Sequence, residues 1–500
     1  MNTTDLFRID WSKIPEILTY DSNNPLLFNS GLFLFLFLFF SIGYYLLRNT
    51  HSVRILYTIA FSCFFYYKTS GWFVFLLLFI SVSDFILARL IYNAERKKTR
   101  KFFLFCSLLI DLGFLCYFKY TNFFGQMVAD MLHQPFQGFN LLLPVGISFY
   151  MFQSLSYTID VYRGQLKPLR KWSEYAFFTT FFPQLTAGPI IRAKDFIPQI
   201  QKKLHVSKKM LGIGIFLIVG GLFKKAVISD YISINFVDRI FDAPALYSGL
   251  ENLMGVYGYA LQIYCDFSGY SDMAIGLALL LGFRFNVNFN SPYKSASITE
   301  FWRRWHISLS TWLRDYLYIS LGGNRKGKVR MYINLMITML LGGLWHGASL
   351  KFILWGALHG VSLVVHKIYL SIVPNAKIAG TEMRPVMRFL GILFTFHLVC
   401  FGWIFFRANS MDGAFEILSR IIFHFNGSVF FDFISGYKYI CIMMLLGFIL
   451  HFVPKSIENK TCRLVIRMPL LLQALLIFLL IAFIVQIKSS EIQPFIYFQF

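Results

Sequence analysis

A succession of apolar runs constrains this chain more than any other feature. A helix that crosses a bilayer needs roughly 20 mostly apolar residues. Runs meeting or approaching that length cover about 26–47, 53–67, 72–92, 102–118, 141–161, 210–232, 253–283, 331–344, 352–369, 389–406, 439–453 and 470–487. Charged residues make up only 14% of the 500 positions, where a water-soluble protein carries about a quarter. The pattern predicts an all-α polytopic membrane protein with about eleven to twelve transmembrane helices, plus re-entrant and interfacial helices.

The net charge of +22 raises the question of nucleic acid. The bases, however, fall in short clusters between apolar runs instead of forming one continuous face, which reads as cytoplasmic loop charge. Clusters at 96–101, 163–171, 194–209, 325–330 and 455–467 all reach the cytoplasm if the N-terminus lies outside. Residues around Asp130 and from Asp238 to Glu251 then face outward. Residues 1–24 carry more acids than bases, so no cleavable signal peptide is expected and the first run reads as a retained span. Seven cysteines lie mostly in apolar runs without a CxxC pair, so neither a disulfide framework nor a zinc site is expected.

Two stretches do not read as plain spans. The segment 177–189 (FFTTFFPQLTAGP) is short and broken by Pro183, Gly188 and Pro189, which suggests a re-entrant segment buried in protein. The segment 264–272 (YCDFSGYSD) places Asp266 and Asp272 inside a long apolar run. It reads as a helix break in a protein-lined interior, because intramembrane acids rarely face lipid. No internal repeat or linker is evident, and a single membrane-embedded domain over 1–500 is the simplest organisation. Within it, 1–135 holds N-terminal spans, 136–370 the core and 371–500 C-terminal spans.

The chemistry concentrates in 297–347. Ser297 and Glu300 form an S-x-x-E capping box. From there Phe301, Trp305, Leu309, Trp312, Tyr316 and Ile319 recur at helical spacing, with Arg304, Ser308, Thr311 and Asp315 on a polar face. This predicts a single helix lying at the membrane interface, with His306 on its flank and Gly322, Gly323 and Asn324 ending it. The next span carries Gly342 and Gly343 one turn before His346, leaving either space beside the imidazole or a surface for close helix packing. An ionisable residue within a span is a candidate functional group, and an imidazole suits general-base work. No G-x-S-x-G, P-loop or HExxH is present, so hydrolase and metalloprotease readings lack support.

The blocks 141–164, 181–200, 264–327 and 341–360, together with the C-terminal PFIYFQF, resemble the membrane-bound O-acyltransferase family, and within it the alginate O-acetyltransferase branch. That resemblance implies a ring of tilted helices around a central tunnel in the bacterial inner membrane. It assigns the family's two histidines to His306 and His346, the latter in the catalytic WHG motif. The implied donor is cytoplasmic acetyl-CoA. The implied acceptor is an extracytoplasmic polysaccharide hydroxyl or a periplasmic partner acetyltransferase, with no metal and no nucleic acid. Arg303, Arg304 and Arg314 are candidates for the donor's phosphates, with interfacial anchoring as the plainer alternative. His359 and His397 read as structural, and Asp266 and Asp272 as capping or pairing groups. A competing reading is a transporter or flippase for a glycan precursor, although such proteins often show repeated halves and none is visible.

Overall fold

The computed structural model describes residues 14–22, 24–186, 188–373, 384–487 and Phe495. Among these residues it is all-helical, without strands. The principal helices are α1 (Gly31–Leu46), α2 (His51–Ser70), α3 (Val74–Asn93), α4 (Lys97–Met131), α5 (Ile147–Tyr162), α6 (Lys208–Leu222), α7 (Gly249–Leu280), α8 (Lys328–His346), α9 (Leu350–Ile372), α10 (Pro385–Arg407), α11 (Lys438–Phe452) and α12 (Leu470–Ile487).

Among the described residues, five stretches are long and apolar enough to cross a membrane: His51–Asn93, Lys97–Met131, Lys208–Asp242, Leu350–Ile372 and Pro385–Arg407. Two further pairs of helices, each bent by 92°, bring the number to seven if each pair is one span. Large apolar side chains such as Phe35, Phe75, Phe105, Phe394 and Phe478 stand exposed, while Asp84, Asp111, Gln153, Ser154 and Thr158 are buried. This inversion suits a protein whose solvent is hydrocarbon, where exposed apolar surface costs nothing and polar groups must pair inside. Asp84 on α3 shows how they pair: it accepts from Ser107 of α4 at 2.7 Å and from Ser154 of α5, tying three helices through one carboxyl.

The segment 264–272 departs from its sequence reading. Helix α7 runs unbroken through it for 32 residues. The irregular backbone lies instead on the neighbouring stretch, where Phe223–Ser229 and Ser233–Val237 are wound as wide π-helical turns. These turns deliver Lys224 to Asp272 and Lys225 to Asp266, the latter at 2.6 Å, with Asp230 also 2.7 Å from Lys225. The acids are neutralised laterally, so the helix need not open. Helices α6 and α7 approach closely enough for this because glycines face one another. A β-carbon on Gly221 would lie 2.5 Å from the Gly269 carbonyl oxygen, and one on Gly276 would lie 2.7 Å from the Gly214 carbonyl oxygen. Small residues at a helix crossing permit such backbone contact.

The segment 177–189 contributes two short helices, Trp172–Thr180 and Phe182–Leu185. Its phenylalanines 177, 178, 181 and 182 are all buried, in keeping with irregular backbone enclosed by protein. Of the C-terminal PFIYFQF only Phe495 lies within the described residues; its ring is buried, 4.7 Å from Tyr270 and 5.4 Å from Phe267.

Candidate active site

His346 is the last residue of α8, and Gly347 after it is extended. A helix end exposes its final carbonyls, which need outside donors. Here α4 supplies them: the Tyr120 hydroxyl donates to Leu344 O at 2.8 Å, and the Lys119 ammonium donates to Trp345 O at 2.7 Å and to His346 O at 2.9 Å. A cation at a helix C-terminus also complements the macrodipole. The His346 ring packs edge-on against Trp355 and Phe406, with centroids 5.0 and 5.1 Å away. The residue is 2% exposed.

Of the two readings open for the glycines, close packing holds at Gly343, and the space beside His346 has another source. Gly343 is a packing residue: a β-carbon there would strike the Phe352 carbonyl oxygen and crowd Gly356 of α9. The open volume is a cavity of about 30 Å³ lined by Lys119, Ser148, Phe149, Trp345 and His346, among others. Its wall is the turn ahead of α5. Gly146 there has φ +72°, and a β-carbon would lie 2.5 Å from Leu185 O, so only glycine fits both the conformation and the space.

The single interfacial helix expected over 297–319 is broken. It divides into Ile298–Trp302, Ile307–Trp312 and a wide turn, Leu313–Tyr318. The apolar stripe faces the protein core instead of lipid: Phe301, Trp305, Leu309, Trp312 and Tyr316 are buried, and Ile319 is not. Trp312 stacks on Phe152 with centroids 3.8 Å apart and donates to Phe152 O at 2.8 Å. Ser297 caps the first piece by accepting from Glu300 N, whereas the Glu300 carboxylate takes the Ala296 N–H instead of closing the box.

His306 sits at the break, fully buried, in the left-handed conformation at φ +42°. A non-glycine residue pays for that geometry with about 1 kcal/mol or more, so something must hold it. Asn288 does. Its carboxamide oxygen accepts from Ser308 N at 3.1 Å and from Ser308 Oγ at 2.9 Å, and lies 3.2 Å from His306 Nδ1. Its carboxamide nitrogen donates to Ser271 Oγ at 3.1 Å, and its carbonyl accepts from Ile307 N. Because a backbone N–H can only donate, the oxygen of Asn288 must face Ser308. With Nδ1 turned toward that oxygen, the geometry suits a proton on Nδ1 whenever the ring is neutral. The Trp345 ring lies 6.1 Å from the His306 ring and 4.9 Å from the His346 ring.

The remaining candidates fall outside this centre. Arg304 is held by Glu300 at 2.8 Å and by Asn290 O, and Arg314 by Asp315 at 2.6 Å. Burial alone would raise the Asp315 carboxyl, yet hydrogen bonds from Arg314 and Arg192 keep it below the ordinary carboxylate range. Arg303 is exposed. His359 is buried, packed on Trp355 at 4.7 Å and on Trp302 at 5.2 Å. His397 is bonded by Tyr257 at 2.9 Å. Asn288 and Lys119 are additions to the site that the sequence reading did not contain.

Comparison with known proteins bears on the same residues. The family model for the membrane-bound O-acyltransferase family matches residues 169–407, which includes both histidines. The "Probable alginate O-acetylase AlgI" of Pseudomonas aeruginosa is 43% identical over 397 residues, covering 78% of this chain and 74% of the relative. A "Peptidoglycan O-acetyltransferase" of Helicobacter pylori is 35% identical over 428 residues, covering 79% and 80%. A "Teichoic acid D-alanyltransferase" of Bacillus subtilis is 30% identical over 329 residues, covering 64% and 81%. With matches of this length and identity, and apolar helices enclosing a polar interior, the chain belongs to the membrane-bound O-acyltransferase family of enzymes.

Proposed function

We propose that this enzyme moves an acetyl group from a cytoplasmic thioester, acetyl-CoA, across the bacterial inner membrane. The acceptor is a hydroxyl of an extracytoplasmic polysaccharide or of a periplasmic partner acetyltransferase. The whole chain acts as one membrane-embedded domain, with about eleven to twelve crossings around a central tunnel. The shorter apolar helices Gly31–Leu46 and Leu470–Ile484 and the polar-lined α7 and α8 supply the crossings beyond the five to seven evident from length and composition. Relatives named for alginate, peptidoglycan and teichoic acid support an envelope polymer as the acceptor class, and alginate-type exopolysaccharide is the first candidate.

The observation that carries this reading is His346, held at a helix end by Lys119 and facing a cavity shared with Ser148. As general base, its imidazole takes the proton of the acceptor hydroxyl while that oxygen attacks the thioester carbonyl. The carbon–sulfur bond then breaks, and the thiolate leaves with the proton returned by the imidazolium. His306, held by Asn288, is the second histidine of the site and acts with His346 in positioning the reacting groups. Arg303, with Arg304 and Arg314, remains a candidate contact for the donor's phosphates.

The test is to incubate purified protein in vesicles with labelled acetyl-CoA and follow thioester consumption with acceptor glycan present. Turnover that depends on His346 supports the transferase. Movement of glycan across vesicles with no thioester consumed would favour a transporter.

A further inference from the structure

Three helix ends meet in a second cavity, of about 280 Å³, lined by Arg54, Gln199, Lys202, Lys203, Gly282 and Arg284, among others. Arg54 lies in the first turn of α2, Lys202 to His205 belong to the loop before α6, and Arg284 follows the end of α7. The cavity is assembled deliberately. Tyr44 and Tyr45 of α1 donate to Leu281 O and Leu280 O at 2.8 and 2.5 Å, fixing the α1–α2 corner against the end of α7. Gly282 turns the chain there at φ +88°, where a β-carbon would lie 2.6 Å from Leu204. Gln199 clasps Arg284 through both backbone groups, at 2.8 and 3.0 Å.

Its charge is one-sided. No carboxylate lines the cavity, and Arg54, Lys202, Lys203 and Arg284 make no ion pair among the described residues. Arg54 is the telling member. It is 5% exposed, yet its partners are a backbone carbonyl of Arg48 at 2.8 Å, His51 at 3.4 Å and the face of Tyr44. A buried guanidinium without a carboxylate is costly, and gathering further cations around it adds repulsion. A bound polyanion relieves both. Guanidinium and ammonium groups together suit phosphate oxygens.

The cavity also has a direct chain connection to the histidines. From Arg284 the backbone runs without helix to Asn288, the residue that holds His306. Four residues of extended chain span at most about 14 Å. We propose that this cavity, in place of Arg303, Arg304 and Arg314, of which Arg304 and Arg314 are already paired with acids, binds the phosphate groups of the acyl donor, with Arg54, Lys203 and Arg284 as the contacting cations. The inference rests on the acyltransferase reading above. An anionic lipid headgroup offers the same phosphate chemistry, and the nearness of Asn288 favours the donor.

The test uses full-length protein in phosphatidylcholine nanodiscs, comparing acetyl-CoA with acetyl-pantetheine, which lacks the phosphates. Lys203→Ala/Arg284→Ala removes two exposed cations and spares the buried Arg54, whose loss risks misfolding. Losing two charge-assisted contacts, the double variant is expected to lower the preference in kcat/KM for acetyl-CoA over acetyl-pantetheine by about tenfold or more. It is expected to weaken equilibrium binding of free coenzyme A by a similar factor. An unchanged preference together with unchanged coenzyme A binding would overturn the assignment. So would loss of co-purifying phosphatidylglycerol, read by native mass spectrometry, with donor preference intact; that outcome makes the cavity a lipid site. If the parent protein turns over neither thioester, the transferase reading fails, while charge-dependent coenzyme A binding still decides the cavity.

Discussion

The Lys119 ammonium lies 2.9 Å from the carbonyl oxygen of His346, and 2.7 Å from that of Trp345. A lysine on one helix thus closes the end of another at the residue proposed to act as base. Lys119→Met keeps the apolar stem and removes both donors. The variant should lose about tenfold or more in kcat with little change in KM for the donor, because the base is displaced while donor binding is not. Lys119→Arg should recover part of the loss. Equal loss in both variants with intact folding would argue against positioning by the cation.

Asn288 is expected to matter nearly as much as the histidine it holds. In Asn288→Ala, His306 loses the side-chain oxygen beside Nδ1 and the left-handed turn loses the bonds from Ser308 N and Oγ, while the Ile307 N–H keeps the backbone carbonyl of residue 288. Removing this partner is expected to cost about tenfold or more in activity, about 1.4 kcal/mol. Steady-state kcat checks this, and the melting temperature should fall as well.

The two glycines before His346 should behave differently. A β-carbon on Gly343 meets the Phe352 carbonyl, whereas one on Gly342 meets only Leu313 Cδ1 at 3.3 Å, the end of a flexible side chain. Gly343→Ala should destabilise by about 1–3 kcal/mol through overpacking, and Gly342→Ala should be tolerated. Thermal melts of the two variants in one detergent decide the point. Equal tolerance would mean that α8 and α9 are not held as closely as the structure has them.

Lys225 neutralises Asp266 and Asp230 at 2.6 and 2.7 Å. Lys225→Met takes the cation away from buried Asp266 and half-buried Asp230, so a cost of about 3–5 kcal/mol and poor yield of folded protein are expected. Asp266→Asn leaves Lys225 with Asp230 and should cost markedly less. The ratio of folded yields by size-exclusion chromatography tests the asymmetry.

The all-helical, membrane-spanning character of the fold was legible in the sequence, because apolar runs of this length report directly on the bilayer. Where the reading failed, the cause was lateral. Asp266 and Asp272 looked like a helix break, and nothing along their own helix shows that Lys224 and Lys225 lie opposite them. The 297–319 stripe was correctly periodic, but periodicity cannot distinguish a lipid face from a protein face, nor reveal a break held by Asn288. Two signals were available. In 285–290 (FNVNFN) asparagine alternates with apolar residues, the period of extended chain, which marks Asn288 as a polar group on one face. Lys119 is a lone cation in an apolar run, and such a residue is a functional candidate in its own right.

The most direct measurement is acetyl transfer from labelled acetyl-CoA to acceptor by parent and His346→Ala proteins matched for folded yield and melting temperature. A general base contributes about 10²- to 10⁴-fold, so the variant is predicted to lose at least a hundredfold in kcat while still binding coenzyme A. Transfer by His346→Ala at the parent rate would contradict the account.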